Sequence, residues 1–270
     1  MNKNDPNLPA IISAVLQKPK YEHIQADLVE RLAARELAKG RKTKEAVKEV
    51  SAKLHQIGAA YFKLAPQYAR WLEELVTLSH DPAHEDVRAF CLQVMQAHSS
   101  TAERLSILAE FYADILAPIG PLESVFDLAC GLNPLALPWM PLKAGARYYG
   151  CDIFSDLIAF DNAFLAHCGL QANLIPADIF QYEFQQPVQA ALLLKSLPCL
   201  EQLEKGAASA LLEAIPAKYL LISYPIRSLG GKSKGMRQTY SAQFESLTAG
   251  RKWKVTRYEF SSELAFLVEK

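Results

Sequence analysis

The cysteines and histidines of this 270-residue chain lack the spacings that disulfide frameworks and metal sites use. The five cysteines are odd in number, lie in apolar segments and include no Cys-x-x-Cys pair. This usage is typical of buried free thiols in a reducing compartment. The six histidines form no ligand pattern, so we expect no metal ion. The cysteines are Cys91, Cys130, Cys151, Cys168 and Cys199.

Long apolar runs are also missing from the sequence. No stretch reaches the roughly 18 apolar residues that a membrane span requires. The polar start Met-Asn-Lys-Asn-Asp is unlike a signal peptide. We therefore expect a cytoplasmic monomer with no membrane partner.

The chain has no net charge, because 29 Lys and Arg balance 29 Asp and Glu, but its charge is unevenly spread. Residues 1–70 carry 13 basic and 7 acidic side chains, whereas residues 71–270 carry 16 and 22. A basic front end of this kind favours an anionic partner for the first seventy residues.

Helical periodicity fills the first part of the chain, and strand patterns begin only at residue 124. In the third predicted helix, Val47, Val50, Leu54, Ile57 and Tyr61 form one apolar stripe. After residue 120, apolar strands alternate with helical segments, which predicts a parallel sheet. We predict helices over 8–17, 22–39, 43–63, 67–79, 84–98 and 102–117, and strands over 124–129, 147–152, 172–176, 189–195, 219–224, 252–259 and 263–269.

The last two predicted strands are separated only by Phe260-Ser-Ser, so we expect them to form an antiparallel hairpin. Five βα units closed by such a pair predict an α/β fold with a Rossmann-like sheet. We place an all-helical N-terminal domain over 1–100 and the sheet domain over 101–270.

The segment Ser124-Val-Phe-Asp-Leu-Ala-Cys-Gly-Leu-Asn-Pro134 predicts a buried strand, a tight turn at Gly131 and a helix start. Asn133 is the predicted helix N-cap, and Pro134 is the predicted first helical residue. The carboxyl edge of an open α/β sheet is where ligands bind. Only one glycine is present in this segment, and the P-loop pattern is absent, which argues against a phosphate-cradling loop.

Two carboxylates indicate a nucleotide-type cofactor without a pyrophosphate. Asp152 closes the apolar run Tyr148-Tyr-Gly-Cys, 21 residues after Gly131, where an acidic side chain can accept the ribose hydroxyls. Asp178 ends the third strand and is placed to reach an adenine amino group. Both could instead be helix caps, but S-adenosylmethionine is the cofactor that fits this set.

Four blocks of sequence are more specific than a general nucleotide site: His98-Ser-Ser-Thr-Ala-Glu-Arg-Leu105 with Phe111-Tyr112, Asp127-Leu-Ala-Cys-Gly-Leu-Asn-Pro-Leu-Ala136 with Pro138-Trp-Met140, Leu192-Leu-Leu-Lys-Ser-Leu-Pro-Cys-Leu-Glu201, and Ser228-Leu-Gly-Gly-Lys-Ser-Lys-Gly-Met236 with Tyr240, Phe244 and Glu245. Together they resemble the aminoglycoside-resistance 16S rRNA methyltransferases. That family methylates N7 of the guanine at position 1405 and uses S-adenosylmethionine. The resemblance implies the class I methyltransferase fold, this reaction on the 30S subunit, S-adenosylhomocysteine as the product and antibiotic resistance.

The resemblance also implies roles for single residues. Arg104 would pair with the methionine carboxylate of the cofactor, Asp152 would bind the ribose, and Asp178 would bind the adenine side. Lys195 and Glu201 fall on family positions at or beside the active site, and Glu201 is assigned to cofactor binding. The chain departs from the family pattern at Ala102, Arg227 and Lys232, which indicates a divergent member.

Guanine N7 carries a lone pair already, so the reaction needs no general base. Catalysis would then consist mainly of aligning N7, the methyl carbon and the sulfur. A base in structured rRNA must be turned out of its stack into a pocket. We assign that pocket to Lys195, Ser196 and Met236, with Pro198 as a wall; Lys195 could instead pair with Glu201.

Two basic clusters are candidates for rRNA backbone contacts rather than solvated faces. The first lies in the helical region and has few nearby acids in sequence, and the second is a loop from Arg227 to Arg237 with three glycines. The candidate residues are Lys18, Lys20, Arg41, Lys42, Lys44, Lys48 and Lys53 in the first cluster, and Lys232, Lys234 and Arg237 in the second. His55 and Trp139 are expected to be packing residues, and His98 a local hydrogen-bonding residue near Arg104.

Two alternatives stay open. The first is a methyltransferase for another rRNA base, such as adenine, or for a small molecule, although a small substrate needs no wide cationic surface. The second is an RNA-binding protein whose cofactor site is no longer used.

Overall fold

The computed structural model describes residues 5–62, 65–226 and 235–270. Seven helices precede the first strand: α1 Leu8–Leu16, α2 Ala26–Ala38, α3 Thr43–Ile57, α4 Tyr68–Leu75, α5 Glu85–Met95, α6 Ser99–Ala102 and α7 Leu108–Leu116. Helices α1, α2 and α3 pack on one another through their apolar stripes, with Ile11, Leu28 and Val50 fully buried.

The sheet has seven strands in the order β3-β2-β1-β4-β5-β7-β6. Strands β1 to β5 are parallel, and β7 is antiparallel to both β5 and β6. The central strands are covered on both faces and are accordingly apolar runs, as in Val188–Leu194. Strand bounds are β1 Leu122–Leu128, β2 Leu142–Asp152, β3 Gln171–Pro176, β4 Val188–Leu194, β5 Ala217–Pro225, β6 Lys254–Glu259 and β7 Glu263–Glu269.

Four further helices cover the sheet: α8 Ser155–His167, α9 Leu197–Leu203, α10 Ala207–Ala214 and α11 Met236–Thr248. One apolar core joins the N-terminal helices, α8 and one sheet face, and a second core joins α9, α10 and α11 with the other face. Parallel strands all end at one edge of the sheet, and the connections that follow β1, β2, β3 and β4 therefore meet there.

All seven predicted strands and the closing hairpin are confirmed, as is the Rossmann-like class. Some helix bounds were wrong. The helix predicted over 43–63 ends at Ile57, where Gly58 follows, and a short 3₁₀ turn comes next. The helix predicted over 102–117 is not continuous: Ala102 is the last residue of α6, and a 3₁₀ turn over Leu105–Ile107 and then α7 follow. The breaks place Arg104 between two elements, so that its side chain points inward.

Three local predictions need correction. Asn133 is not the N-cap, because Leu132 holds that position and the element from Asn133 to Trp139 is a 3₁₀ helix. The Asn133 side chain is instead buried in a polar network. Cys168 and Cys199 are only half-buried, whereas the other three cysteines are buried as predicted.

None of the helices in the described part of the chain is long and apolar enough to cross a bilayer. Over the same residues, no group of three or more His, Cys, Asp or Glu side chains is placed to hold a metal ion.

Candidate active site

A cavity lies at the carboxyl edge of the sheet, where the chain turns after β1. Ala129 and Gly131 both have positive φ, 53° and 50°, in this turn. The Gly131 N–H donates to Asp152 Oδ2 at 2.9 Å. A Cβ at Gly131 would lie 3.1 Å from Cε1 of His98, so the turn lets the backbone and the imidazole ring approach closely.

Six of the predicted site residues line this one cavity: Arg104, Gly131, Asp152, Asp178, Lys195 and Ser196. They come from the segment before α7 and from the ends of β1, β2, β3 and β4. The topology therefore brings together side chains that are separated by up to 92 residues between Arg104 and Ser196. Glu201 and Met236 are not among the lining residues that the structure describes.

Asp152 is held by backbone donors on both carboxylate oxygens. Besides the Gly131 N–H on Oδ2, the Ile153 N–H donates to Oδ1 at 2.7 Å and the Phe154 N–H does so at 3.4 Å. Burial raises the pKa of Asp152 above its ordinary value, although these three N–H donors act in the opposite direction. These hydrogen bonds fix the orientation of the Asp152 carboxylate beside the turn that follows β1.

Asp178 follows β3 and is buried. Its Oδ1 accepts the Phe180 N–H at 3.1 Å, and its Oδ2 accepts Arg31 Nε at 2.6 Å. The alternative reading of Asp178 as a cap is therefore correct for the short 3₁₀ turn that starts at Ile179, and the side chain also lines the cavity. Its sequence-based role at an adenine stays a prediction.

Arg104 is completely buried and forms an ion pair with Glu263 of β7. Its Nε and Nη2 donate to the Glu263 carboxylate at 2.9 Å and 2.7 Å, and its Nη1 donates to Asn133 Oδ1 at 2.9 Å. Burial alone would raise the pKa of Glu263, but the Arg104 and Lys195 charges hold it below its ordinary value. The pair keeps a cation at the cavity wall without leaving a net charge buried.

Lys195 ends β4 with a φ of 58°, a left-handed conformation that is costly for a residue with a side chain. Its Nζ donates to Glu103 Oε2 at 2.9 Å and to the Ser100 carbonyl at 3.0 Å, and it lies 3.4 Å from Glu263. The suggested pairing with Glu201 is wrong. Glu201 instead accepts the N–H groups of Gly206 and Ala208 at the start of α10.

Ser196 and Met236, the other predicted pocket residues, lie in different surroundings. Ser196 is buried, and its Oγ has no hydrogen-bond partner although the residue lines the cavity. Met236 is the first residue of α11 and is half-buried.

Behind the turn, Asp127 anchors a buried polar cluster. Asn133 Nδ2 and Tyr148 Oη donate to its Oδ2 at 2.8 Å and 2.7 Å, and Tyr112 Oη donates to Asn133 Oδ1 at 2.6 Å. Burial raises the pKa of Asp127 to about 7, although these two donors oppose the shift. The cluster fixes the floor of the cavity and connects to Arg104 through Asn133.

Sequence reasoning missed one wall of the cavity, which comes from the N-terminal helices. Its residues are Leu28 of α2, the segment Ile57, Gly58, Tyr61 and Phe62 after α3, and His98. The His98 ring stacks on Tyr61 with centroids 5.6 Å apart and meets the edge of Phe62. The position of His98 at the head of a motif block was the one available signal, and the other residues looked like ordinary helix packing.

The first basic cluster is less uniform than the sequence indicated. Lys42, Lys44 and Lys48 are exposed on α3 and at its start. In contrast, Arg41 and Lys53 contact Glu36, a fully buried carboxylate that also pairs with Lys39. The expectation of few nearby acids is therefore wrong for Arg41 and Lys53, because tertiary packing brings Glu36 to them.

Of the remaining residues predicted to contact rRNA, some contact other side chains of the protein, and the others lie outside the described residues. Lys18 Nζ donates to Ser51 Oγ at 2.6 Å, Lys20 lies over the Tyr21 ring, and Arg237 pairs with Glu259 at 2.7 Å. Lys232 and Lys234, together with the departure at Arg227, fall outside the described residues.

Known proteins align with nearly the whole of this chain. The family model described as Ribosomal RNA methyltransferase (FmrO) matches residues 17–267. A 16S rRNA (guanine(1405)-N(7))-methyltransferase of Micromonospora echinospora is 36% identical over 95% of this chain and 94% of the relative. One of Serratia marcescens with the same name is 30% identical and covers 100% of this chain and 99% of its own.

A solved structure of the 16S rRNA methyltransferase RmtF in complex with S-adenosyl-L-homocysteine has the same fold, with a TM-score of 0.82 and 30% identity. The match covers 98% of this chain and 99% of that one. The family match over residues 17–267 and these relatives show that the protein belongs to the FmrO family of ribosomal RNA methyltransferases.

Proposed function

We propose that this protein transfers the methyl group of S-adenosylmethionine to N7 of guanine 1405 in the 16S rRNA of the 30S subunit, and thereby confers aminoglycoside resistance. The relatives named for this reaction cover almost the full chain. The observation that carries the proposal is the convergence of Arg104, Gly131, Asp152 and Asp178 on one cavity.

The residues of the cavity fit an adenosyl cofactor. Arg104 has five N–H hydrogens, and its bonds to Glu263 and Asn133 leave one free on each terminal nitrogen for the methionine carboxylate. The Asp152 carboxylate retains lone pairs that can accept the ribose hydroxyls. Gly131 has no Cβ, so the cofactor can approach the backbone at this position. Asp178 would accept the adenine amino group. For Glu201 we propose an indirect role in cofactor binding, because its carboxylate accepts the Gly206 and Ala208 N–H groups and so ties α9 to the start of α10.

When bound, S-adenosylmethionine supplies an electrophilic methyl group. The protein then has to align guanine N7 with it, an effect worth up to about 7–11 kcal/mol. Ser196 lines the cavity directly after the strained backbone of Lys195, and its buried Oγ, which has no hydrogen-bond partner, is the group that would turn to the edge of the target base. Lys195, Ser196 and Met236 form the proposed pocket for the flipped guanine. The N7 lone pair makes a general base unnecessary.

The exposed lysines of α3 would bind the rRNA backbone, which positions the protein without reading sequence. In this assignment, residues 1–100 form the rRNA-binding domain and residues 101–270 the methyltransferase domain. We further propose that the enzyme acts as a cytoplasmic monomer.

The test is transfer of tritiated methyl groups to purified 30S subunits, with primer extension before and after borohydride reduction and aniline cleavage, because 7-methylguanine keeps its pairing edge and stops reverse transcriptase only after the strand is cleaved there. We expect one modified guanine at position 1405 and none with the Asp152→Ala variant. Label on an adenine or on another guanine would replace this proposal with the first alternative. Failure of the wild-type protein to bind S-adenosylhomocysteine in a calorimetric titration would favour the RNA-binding alternative.

A further inference from the structure

The segment from His23 to Arg35 lies across the loops that carry the proposed cofactor ligands. The Gln25 N–H donates to the Ile153 carbonyl at 3.0 Å, and the Ser155 N–H donates to the His23 carbonyl at 2.8 Å. Ile24 forms an antiparallel bridge with Phe154. This part of the N-terminal region is therefore hydrogen-bonded to the loop that directly follows Asp152.

In the second turn of α2, Arg31 reaches the next two connections. Its Nε donates to Asp178 Oδ2 at 2.6 Å, and its Nη1 donates to Glu204 Oε2 at 3.2 Å. Its guanidinium also lies 5.0 Å from the centroid of the Phe180 ring. Arg31 is only 7% exposed, so it is not available to rRNA phosphates.

The neighbouring Arg35 has a different role. It contacts Glu204 Oε2 at 2.5 Å and the Leu203 carbonyl at 3.3 Å, and neither of these contacts involves Asp178. The two arginines lie on the same face of α2 and share Glu204. Substituting each arginine separately therefore distinguishes two effects: the loss of the Asp178 contact, and the loss of a contact between α2 and the end of α9.

We propose that Arg31 is a positioning residue for the cofactor site, which fixes the Asp178 carboxylate so that it can accept the adenine amino group. The inference rests on the proposed function, because that proposal assigns Asp178 to the adenine. It makes α2 a part of the cofactor site rather than of the rRNA surface alone.

The physical reason is the cost of a buried carboxylate. Asp178 is 4% exposed, and the Phe180 N–H alone would leave its charge poorly compensated. With Arg31 on Oδ2, the carboxylate has a fixed rotamer and a charge partner. A charged, oriented acceptor forms a stronger hydrogen bond to an amino group than a neutral or mobile one.

The experiment compares Arg31→Met with Arg35→Met in the full-length protein. The ligand is S-adenosylhomocysteine, and the readouts are its Kd by calorimetry, the KM for S-adenosylmethionine, kcat and binding to 30S subunits. For Arg31→Met we expect Kd and KM to rise about tenfold or more, since one charge-assisted hydrogen bond is weakened. We expect kcat at saturation and 30S binding to stay close to wild type, and Arg35→Met to change Kd less than about twofold.

A loss limited to structure would instead lower the folded fraction of both variants and leave the Kd of the folded protein unchanged, and that result would overturn the proposal. Should Arg31→Met not fold, Arg31→Lys decides, because a single ammonium cannot hold Asp178 and Glu204 in the guanidinium fork. A severalfold rise in its Kd supports the role of Arg31, and a wild-type Kd contradicts it. Failure of the proposed reaction gives a different result: the wild-type protein then binds S-adenosylhomocysteine but does not modify 30S subunits.

Discussion

Arg104 and Glu263 are separated by 159 residues and form a two-point ion pair in which both side chains are fully buried. Glu263 also accepts the Ser223 Oγ–H at 2.7 Å and lies near Lys195. The pair therefore joins the segment before α7 to β7 and β5, on the side of the sheet edge that receives the methionine end of the cofactor in our proposal.

Replacing Glu263 by Gln should destabilise the protein strongly. The change leaves the Arg104 charge buried without its partner, and breaking a buried pair costs about 3–5 kcal/mol. The free energy of unfolding in urea measures this loss. The matched control is Glu123→Gln, which breaks the exposed pair with Lys143. Equal stability of both variants would show that the buried pair contributes no more than a surface one.

The stability of the protein below neutral pH should depend on His98. Burial, with help from the Lys195 and Arg104 charges, lowers the pKa of His98 from 6.5 to about 3. Between these values the unfolded chain binds a proton that the folded protein does not bind, so the folded state loses stability as the pH falls.

In the His98→Gln variant, the free energy of unfolding should therefore fall less steeply between pH 6.5 and pH 3 than in the wild type. Urea unfolding at several pH values in this window checks the slope, with His55→Gln at an exposed position as the control. If the free energy of unfolding falls equally steeply with pH in the wild type and in His98→Gln, the loss of stability at low pH does not come from His98.

Gly131→Ala should weaken cofactor binding beyond its effect on stability. The φ of 50° disfavours a side chain, and the new Cβ would press on the His98 ring at 3.1 Å. Gly169→Ala, just after α8, is the matched control, because its φ of 70° is also positive and no atom lies within 4 Å of the new Cβ.

Both glycine variants should lose about 1–2 kcal/mol of stability. Only Gly131→Ala should raise the Kd for S-adenosylhomocysteine in calorimetry. A comparable rise for Gly169→Ala would mean that general destabilisation, rather than the shape of the turn, sets the affinity.

The exposed lysines of α3 and the carboxylate of Asp152 should affect different steps. Exchanging Lys42, Lys44 and Lys48 for Glu should weaken 30S binding and flatten its dependence on salt, because fewer counterions are released. The Kd for S-adenosylhomocysteine should not change. Asp152→Ala should do the reverse, with methyl transfer lost and 30S binding nearly intact.

Filter binding to 30S subunits over a range of KCl concentrations measures the first effect. The control is the matching triple exchange of Lys218, Lys252 and Lys254, which are exposed near the opposite edge of the sheet. If the control and the α3 variant lose affinity alike, net charge rather than this surface governs binding.

Strand positions, the hairpin and the turn at Gly131 were predictable because each depends on a short pattern of apolar residues and turn chemistry. Helix bounds near Gly58 and Arg104 were not, because packing against the sheet overrides the local periodicity there. The acidic partner of Arg41 and Lys53 was missed for the same reason. Glu36 is near them in sequence, yet nothing in the pattern shows that its carboxylate is buried and faces both cations.

Local patterns and motif blocks were sufficient to predict the class of sheet, the family and six residues that line the cavity, because parallel strands end at one edge of the sheet. These residues are Arg104, Gly131, Asp152, Asp178, Lys195 and Ser196. The partner of each buried charge became visible only in the folded chain. Arg104 pairs with Glu263 and Arg31 with Asp178, contacts that join residues 159 and 147 positions apart. Such pairings depend on how α2 and β7 pack against the sheet, and no local pattern encodes that distance.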